Sequence, residues 1–205
     1  RWYAGVALQA QTQHFGGSPR TPEAPDRGLP RPEQLPWVLI TLGITFNDDP
    51  NFFLAAAHAV ARLGCLPLVA LGREVRAEDE AWLRRLPPET AVRSLIAFDA
   101  VLPYLAAAIH HGGAGTTHAL AVHAVPQIVV PHAADQIYQA QGVVRTGCGA
   151  YFAAKDVTID RLETALAALL PDLSPYRSQA RRLQAEFAAL GGATAAADAV
   201  ERSLL

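Results

Sequence analysis

One short stretch concentrates the residue types that can do chemistry: Ile109-His110-His111-Gly112-Gly113-Ala114-Gly115-Thr116-Thr117. An apolar strand runs here into a glycine-rich turn that opens a helix. Glycines allow close backbone approach and dihedrals that a Cβ forbids, and the first N–H groups of the helix lack internal partners. Those N–H groups and the helix dipole favour an anion, so the pattern predicts a diphosphate site. His111 at the strand end can add a donor, and the hydroxyls of Thr116 and Thr117 can add others. The turn has no Gly-Lys-Ser/Thr and its glycine spacing fails the dinucleotide fingerprint, so neither a P-loop nor a dinucleotide fold is the better match. A nucleoside diphosphate held without an obligatory lysine fits best.

Such a turn works only if a scaffold aims it. From Trp37 onward, short apolar runs alternate with amphipathic segments, the signature of a parallel α/β sheet flanked by helices, Rossmann-like in kind. Strands are expected at 37–42, 66–71, 91–96, 107–110 and 127–130, with a short edge strand at 150–152; most are apolar on both sides, as buried parallel strands should be. Asp49 reads as an N-cap with Pro50 at the first helical position, and this helix should stop at Gly64. Further helices are expected at 78–86, 99–106, 116–123, 135–146, 159–170, 175–190 and 193–204. Between Thr12 and Pro36 the residues Pro19, Pro22, Pro25, Pro30, Pro32 and Pro36 alternate with charges and glycines. That stretch reads as a partly disordered linker, so residues 1–36 divide from a donor-binding unit at 37–205.

Composition narrows the partners. The 205 residues carry 17 Lys+Arg against 19 Asp+Glu, a net charge of −2, with no long basic run to attract nucleic acid or an anionic membrane. Apolar runs such as 104–109 fall far short of the roughly 20 residues that span a bilayer, so no integral membrane segment is expected. The reading is a soluble, cytoplasmic protein. Cys65 and Cys148 stand in unlike contexts and read as small core residues. The seven histidines do not form a zinc spacing, so neither metal nor cofactor is expected. His58, His110 and His123 read as structural, His14 as unpositioned, and His132 as able to face a ligand. The chain has no methionine and begins Arg1-Trp2-Tyr3, which reads as a fragment.

The longer pattern Thr41-Leu42-Gly43, Leu102-Pro103, His110 to Thr117, Val125-Pro126-Gln127, Val130-Pro131 and Asp135-Gln136 resembles the family 1 glycosyltransferases of GT-B architecture. The likeness is strongest to bacterial enzymes that glycosylate lipophilic natural products or sterol-like acceptors, and it covers residues 36 to the end. It implies that His111, Gly112, Gly113, Ala114, Gly115 and Thr116, with Thr45, surround the donor diphosphate. Asp135 and Gln136 would bind the donor sugar, and Ile96, Ala97 and Phe98 would lie against the base. Ala119, Ile44, Ala97 and Ala124 stand where members often have glutamate, serine, proline and glycine respectively.

The implied activity is transfer of a sugar from a UDP- or dTDP-sugar to a hydroxyl of a small lipophilic acceptor, with inversion. No catalytic residue is expected in this chain, because the resemblance places the base in the N-terminal domain. The chain alone is therefore expected to be inactive, with its last helix bridging the two halves. Two other readings stay open: a non-catalytic nucleotide-binding module, and another GT-B enzyme such as a sugar epimerase.

Overall fold

Six strands run parallel in the order β3-β2-β1-β4-β5-β6, from Trp37–Thr41 (β1), Leu66–Ala70 (β2), Ala91–Arg93 (β3), Leu105–His110 (β4), Gln127–Val129 (β5) and Gly149–Tyr151 (β6). The computed structural model describes residues 12–17, 26, 28–45, 47–133, 135–172 and 174–204. The apolar piece 2–8 and Pro19, Pro22 and Pro25 lie outside the described residues. The chain leaves β1 toward β2 and β3, then returns past β1 to β4, so winding reverses between β1 and β4. In open α/β sheets that reversal leaves a crevice at the carboxyl ends of the two strands.

The central strand shows why the sheet must be covered twice. Trp37, Val38, Leu39 and Ile40 are all fully buried, and alternate residues face opposite sides. Val38 and Ile40 join a core with helices α1 (Pro50–Arg62) and α6 (Ile159–Leu169). Trp37 and Leu39 join a second core with Leu66, Leu68, Leu102 and Leu120. The remaining helices are α2 (Glu80–Leu83), α3 (Phe98–Val101), α4 (Ala114–Val122), α5 (Gln136–Arg145), α7 (Pro175–Ala189) and α8 (Gly192–Ser203).

Local chemistry sets the boundaries. Asp49 Oδ1 accepts from the Phe52 N–H at 3.0 Å with Pro50 at the first helical position, as its residue types predict. Thr158 and Ser174 cap α6 and α7 in the same way. The helix expected at 99–106 is instead α3, a single 3₁₀ turn at Leu102–Tyr104, and then β4 two residues earlier than expected. Pro103 has no N–H to give an α-helix, so the helical ladder stops there. The helix expected at 78–86 is likewise split, into a 3₁₀ turn at Ala77–Asp79 and the short α2. The strand expected at 91–96 ends at Arg93.

The linker reading needs correction for its described part. Two apolar residues pin the segment: Leu29 and Leu35 pack on the second core, the Trp37 indole N–H donates to the Pro30 carbonyl at 2.9 Å, and Asp26 takes hydrogen bonds from Gly28 and Arg93. These apolar anchors were overlooked beneath the proline signal. Ala124 adopts φ 55°, a left-handed conformation that a glycine takes without strain, which accounts physically for a glycine preference at this turn. Cys65 and Cys148 are buried and unpaired. Among the described residues no helix is long and apolar enough to cross a membrane.

Candidate functional site

A cleft of about 410 Å³ opens at the crevice between β1 and β4. Its polar wall is the turn after β4, His111, Gly113, Ala114, Gly115 and Thr116, faced by Thr41 at the end of β1 and by Gly43 and Thr45 after it. Ala70, Leu95, Ile96, Phe98 and Ile44 form the apolar side. The first turn of α4 has Gly113 as its N-cap, no side-chain cap and no acidic residue. Its leading N–H groups are left for an anion.

The imidazole of His111 is fitted between two glycines. A Cβ added at Gly43 would lie 2.7 Å from His111 Cε1, and one at Gly113 would lie 2.4 Å from Nε2. The ring edge that carries Nε2 therefore sits beside the start of α4, and only glycine on either side leaves it room. His111 Nδ1 is buried without an acceptor in hydrogen-bond geometry, although the Thr41 carbonyl lies close enough to favour the protonated ring. Burial is the larger influence and lowers the His111 pKa. Donation into the cleft requires a proton on Nε2, which the Nε2–H tautomer and the protonated ring both supply.

Behind it, His110 is fully buried and holds the turn in place. The Gly112 N–H donates to His110 Nδ1 at 3.1 Å, which puts the His110 proton on Nε2, where it reaches Gln127 Oε1 at 2.9 Å. Gln127 Nε2 in turn donates to the Thr117 carbonyl at 3.3 Å, closing a chain from the glycine turn to α4 through β5. Gly112, at φ 90°, packs against Val129 and Gln136 and does not line the cleft.

Residues 68–202 match the family described as erythromycin biosynthesis protein CIII-like, C-terminal domain. The chain belongs to this family. It is 36% identical over 169 residues to L-demethylnoviosyl transferase of Streptomyces niveus, an alignment covering 80% of this chain and 43% of that protein. Demethyllactenocin mycarosyltransferase of Streptomyces fradiae is 29% identical, with coverage of 97% and 42%. Among solved structures, the calicheamicin glycosyltransferase CalG4 superposes with a TM-score of 0.80 at 29% identity, over 96% of this chain and 48% of that one. Glycosyltransferase VinC in complex with dTDP gives 0.69 at 28% identity, with coverage of 92% and 45%. The chain thus spans less than half the length of these relatives, and its fold is the C-terminal, Rossmann-like half of a GT-B fold.

Against this family background the expected site residues divide. His111, Gly113, Ala114, Gly115, Thr116, Thr45, Ile96 and Phe98 come together on the cleft. Ala97 does not line it: the backbone turns there to start α3, with Ala97 as the exposed N-cap. Asp135 and Gln136 sit beyond the lining, as the N-cap and the first residue of α5. Asp135 is exposed and close enough to His111 to act on its charge. Gln136 is buried, and its Oε1 accepts from the backbone N–H groups of His132 and Ala133 at 2.7 and 2.9 Å, so its amide NH₂ is the part left for a ligand. The Thr117 hydroxyl donates back to the Gly113 carbonyl and cannot serve a phosphate as well. Ala119 packs on the second core and so cannot stand in for a ribose-binding side chain.

Gly72, Leu95 and Ala70 were missed. Gly72 follows an apolar strand directly, the same signal that marks Gly43, and both turns end at the same edge of the sheet. Its φ is 73°, and an added Cβ would lie 1.8 Å from the Gly43 carbonyl oxygen. His58 faces the Arg85 carbonyl, and His118 stacks on Phe187.

The His110 network makes stability depend on pH. Burial pushes the His110 pKa from 6.5 down to about 3, so the unfolded chain binds a proton that the folded one refuses. This contribution is complete above pH 6.5 and is lost as the pH falls from 6.5 toward 3. At pH 5 the loss is on the order of 2 kcal/mol, or roughly 4–8 °C in Tm. Calorimetry from pH 7.5 to 5 should show that decline, and His110→Gln should flatten most of it. Burial of His111 and His123 acts in the same direction, and an unchanged slope in the variant would assign the effect to them.

Proposed function

We propose that this chain is the nucleotide-sugar-binding half of an inverting glycosyltransferase that transfers a sugar from a dTDP- or UDP-sugar to a hydroxyl of a small, lipophilic acceptor. The observation that carries the reading is the uncapped start of α4 with His111 beside it, on one wall of a cleft whose other side is apolar. The diphosphate lies against the N–H groups of Ala114, Gly115 and Thr116, with His111 Nε2 and the Thr45 hydroxyl as further donors. Asp135 accepts from sugar hydroxyls while the Gln136 amide donates to them. The base lies on Leu95, Ile96 and Phe98. Residues 37–205 form this donor unit, with 1–36 leading into it.

Chemically, the site serves the leaving group. As the acceptor oxygen bonds to the anomeric carbon, the bond to the diphosphate breaks and negative charge grows on the phosphate oxygens. Donors already aimed at those oxygens stabilise that charge without reorganising. The base that takes the acceptor proton belongs to a part of the whole protein outside this chain. Support for the class comes from the relatives' own activities, L-demethylnoviosyl transferase and demethyllactenocin mycarosyltransferase, and from the dTDP complex of VinC. Work in the cytoplasm agrees with the two buried free thiols.

The apolar wall favours a base with a methyl group. Burying one methyl is worth about 0.8 kcal/mol, so dTDP is expected to bind about fourfold more tightly than dUDP, which lacks only that methyl, and GDP more weakly than either. Isothermal titration of the chain with the three nucleotides tests this. Equal affinity for all three would remove the base from the apolar wall.

A further inference from the structure

Asp49 does more than cap a helix. One carboxylate oxygen meets the Phe52 N–H, which is all that a cap requires; Thr158 and Ser174 do the same work with one hydroxyl. The second oxygen reaches across the molecule to His132 Nε2 at 3.2 Å, a contact between residues 83 positions apart. On the other edge of the ring, Nδ1 meets the Val130 carbonyl at 2.8 Å; that oxygen can only accept, so the Nδ1 proton is fixed. The Phe52 ring stands edge-on to the imidazole, with centroids 5.7 Å apart. The His132 backbone N–H is held by Gln136 Oε1. With Nδ1–H given to Val130, the Asp49 carboxylate can accept from Nε2 only when that nitrogen also carries a proton, and the doubly protonated ring is then held at both nitrogens and through its backbone, in the loop that leads to Asp135 and the start of α5.

We propose that Asp49 and His132 are a positioning pair that ties the loop after β1 to the loop after β5 and so sets Asp135 and Gln136 at the distance a donor sugar requires. The proposal rests on the cleft being a nucleotide-sugar site. Without the tie, the hydrogen bonds described for the loop after β5 run to Val130 and to the start of α5, while the loop after β1 holds the phosphate side. The pair thus governs the sugar end of the ligand and leaves the nucleotide end untouched.

The test compares dTDP with dTDP-glucose, by titration calorimetry on the chain and its variants. The wild type is expected to bind dTDP-glucose more tightly than dTDP, by about tenfold if two hydrogen bonds to the sugar form. Asp49→Ser keeps a competent cap but cannot reach His132. It should remove most of that increment while leaving dTDP affinity within about twofold. His132→Ala should do the same, and the double variant should lose no more than either single one. Asp49→Asn, which can cap through its carbonyl and donate to Nε2 through its amide, should restore the increment. An intact increment in Asp49→Ser or His132→Ala overturns the pair. A wild type with no increment overturns the sugar assignment of Asp135 and Gln136 and the pair with it, whereas no binding of dTDP itself overturns the donor-site reading.

Discussion

His111→Ala is expected to lower the affinity of the chain for dTDP by roughly 10- to 100-fold, because a hydrogen bond to a charged group is worth about 1.5–3 kcal/mol. The ring is the one side chain that the two glycine turns enclose, and it lies beside the start of α4. Two other sources of the loss can be separated. If the ring acted only as packing between Gly43 and Gly113, His111→Leu would bind dTDP nearly as well as the wild type. If it acts as a donor, His111→Leu fails like the alanine variant, and His111→Gln recovers part of the affinity. Far-ultraviolet circular dichroism, run in parallel, should show the same fold in all three variants.

The second large effect separates stability from binding across the glycines. Gly72→Ala drives a Cβ into the Gly43 carbonyl at 1.8 Å from a φ of 73°, and backbone cannot rotate away as a side chain can. A loss of about 3 kcal/mol or more is expected, lowering Tm by roughly 6–12 °C. Gly43→Ala combines φ 75° with a contact at 2.7 Å to His111, so it should lose both stability and dTDP affinity. Gly115 behaves in the opposite way. It lies in the first turn of α4, and an added Cβ meets nothing within 4 Å. Gly115→Ala should leave Tm unchanged or raise it, by up to about 1 kcal/mol of stability from helix propensity. It should nonetheless weaken dTDP binding, because the new methyl group takes space beside the N–H groups that a phosphate must approach. A Gly115→Ala chain that binds dTDP normally would move the diphosphate away from this turn.

Much of the scaffold was readable in the residues because each signal was local. Asp49-Pro50 starts α1 where capping chemistry says it should, and the apolar runs that became β1, β2, β4 and β5 needed only their two-sided hydrophobicity. Boundaries slipped where a short-range rule was overridden: Pro103 cut a helix that periodicity alone would continue, and β4 starts early because Leu105 pairs with Trp37, with Ala106 at the register shift that follows. The cleft was half legible. The turn from His111 to Thr116 is contiguous, so its members could be found together. Gly72 and Leu95 join it only because β2 lies beside β1 and the chain after β3 folds back to the same edge, an adjacency that no spacing announces. Thr117 and Gln136 show the reverse difficulty: both have useful polar groups by type, yet each commits an oxygen to holding a loop or turn. Residue type tells what a side chain can bond, and only the fold tells which of its bonds are already made.

The central claim, that the cleft between β1 and β4 holds a nucleoside diphosphate at the start of α4, is tested most directly by two-dimensional ¹H–¹⁵N NMR of the chain titrated with dTDP. Saturable shifts are expected to concentrate on the amides of Ala114, Gly115 and Thr116 and on Gly43 to Thr45, and to need roughly 10- to 100-fold more dTDP in His111→Ala. No saturable response to dTDP, UDP or GDP would contradict the claim. So would shifts centred on the separate polar cleft of Arg145, Gln179 and Arg182.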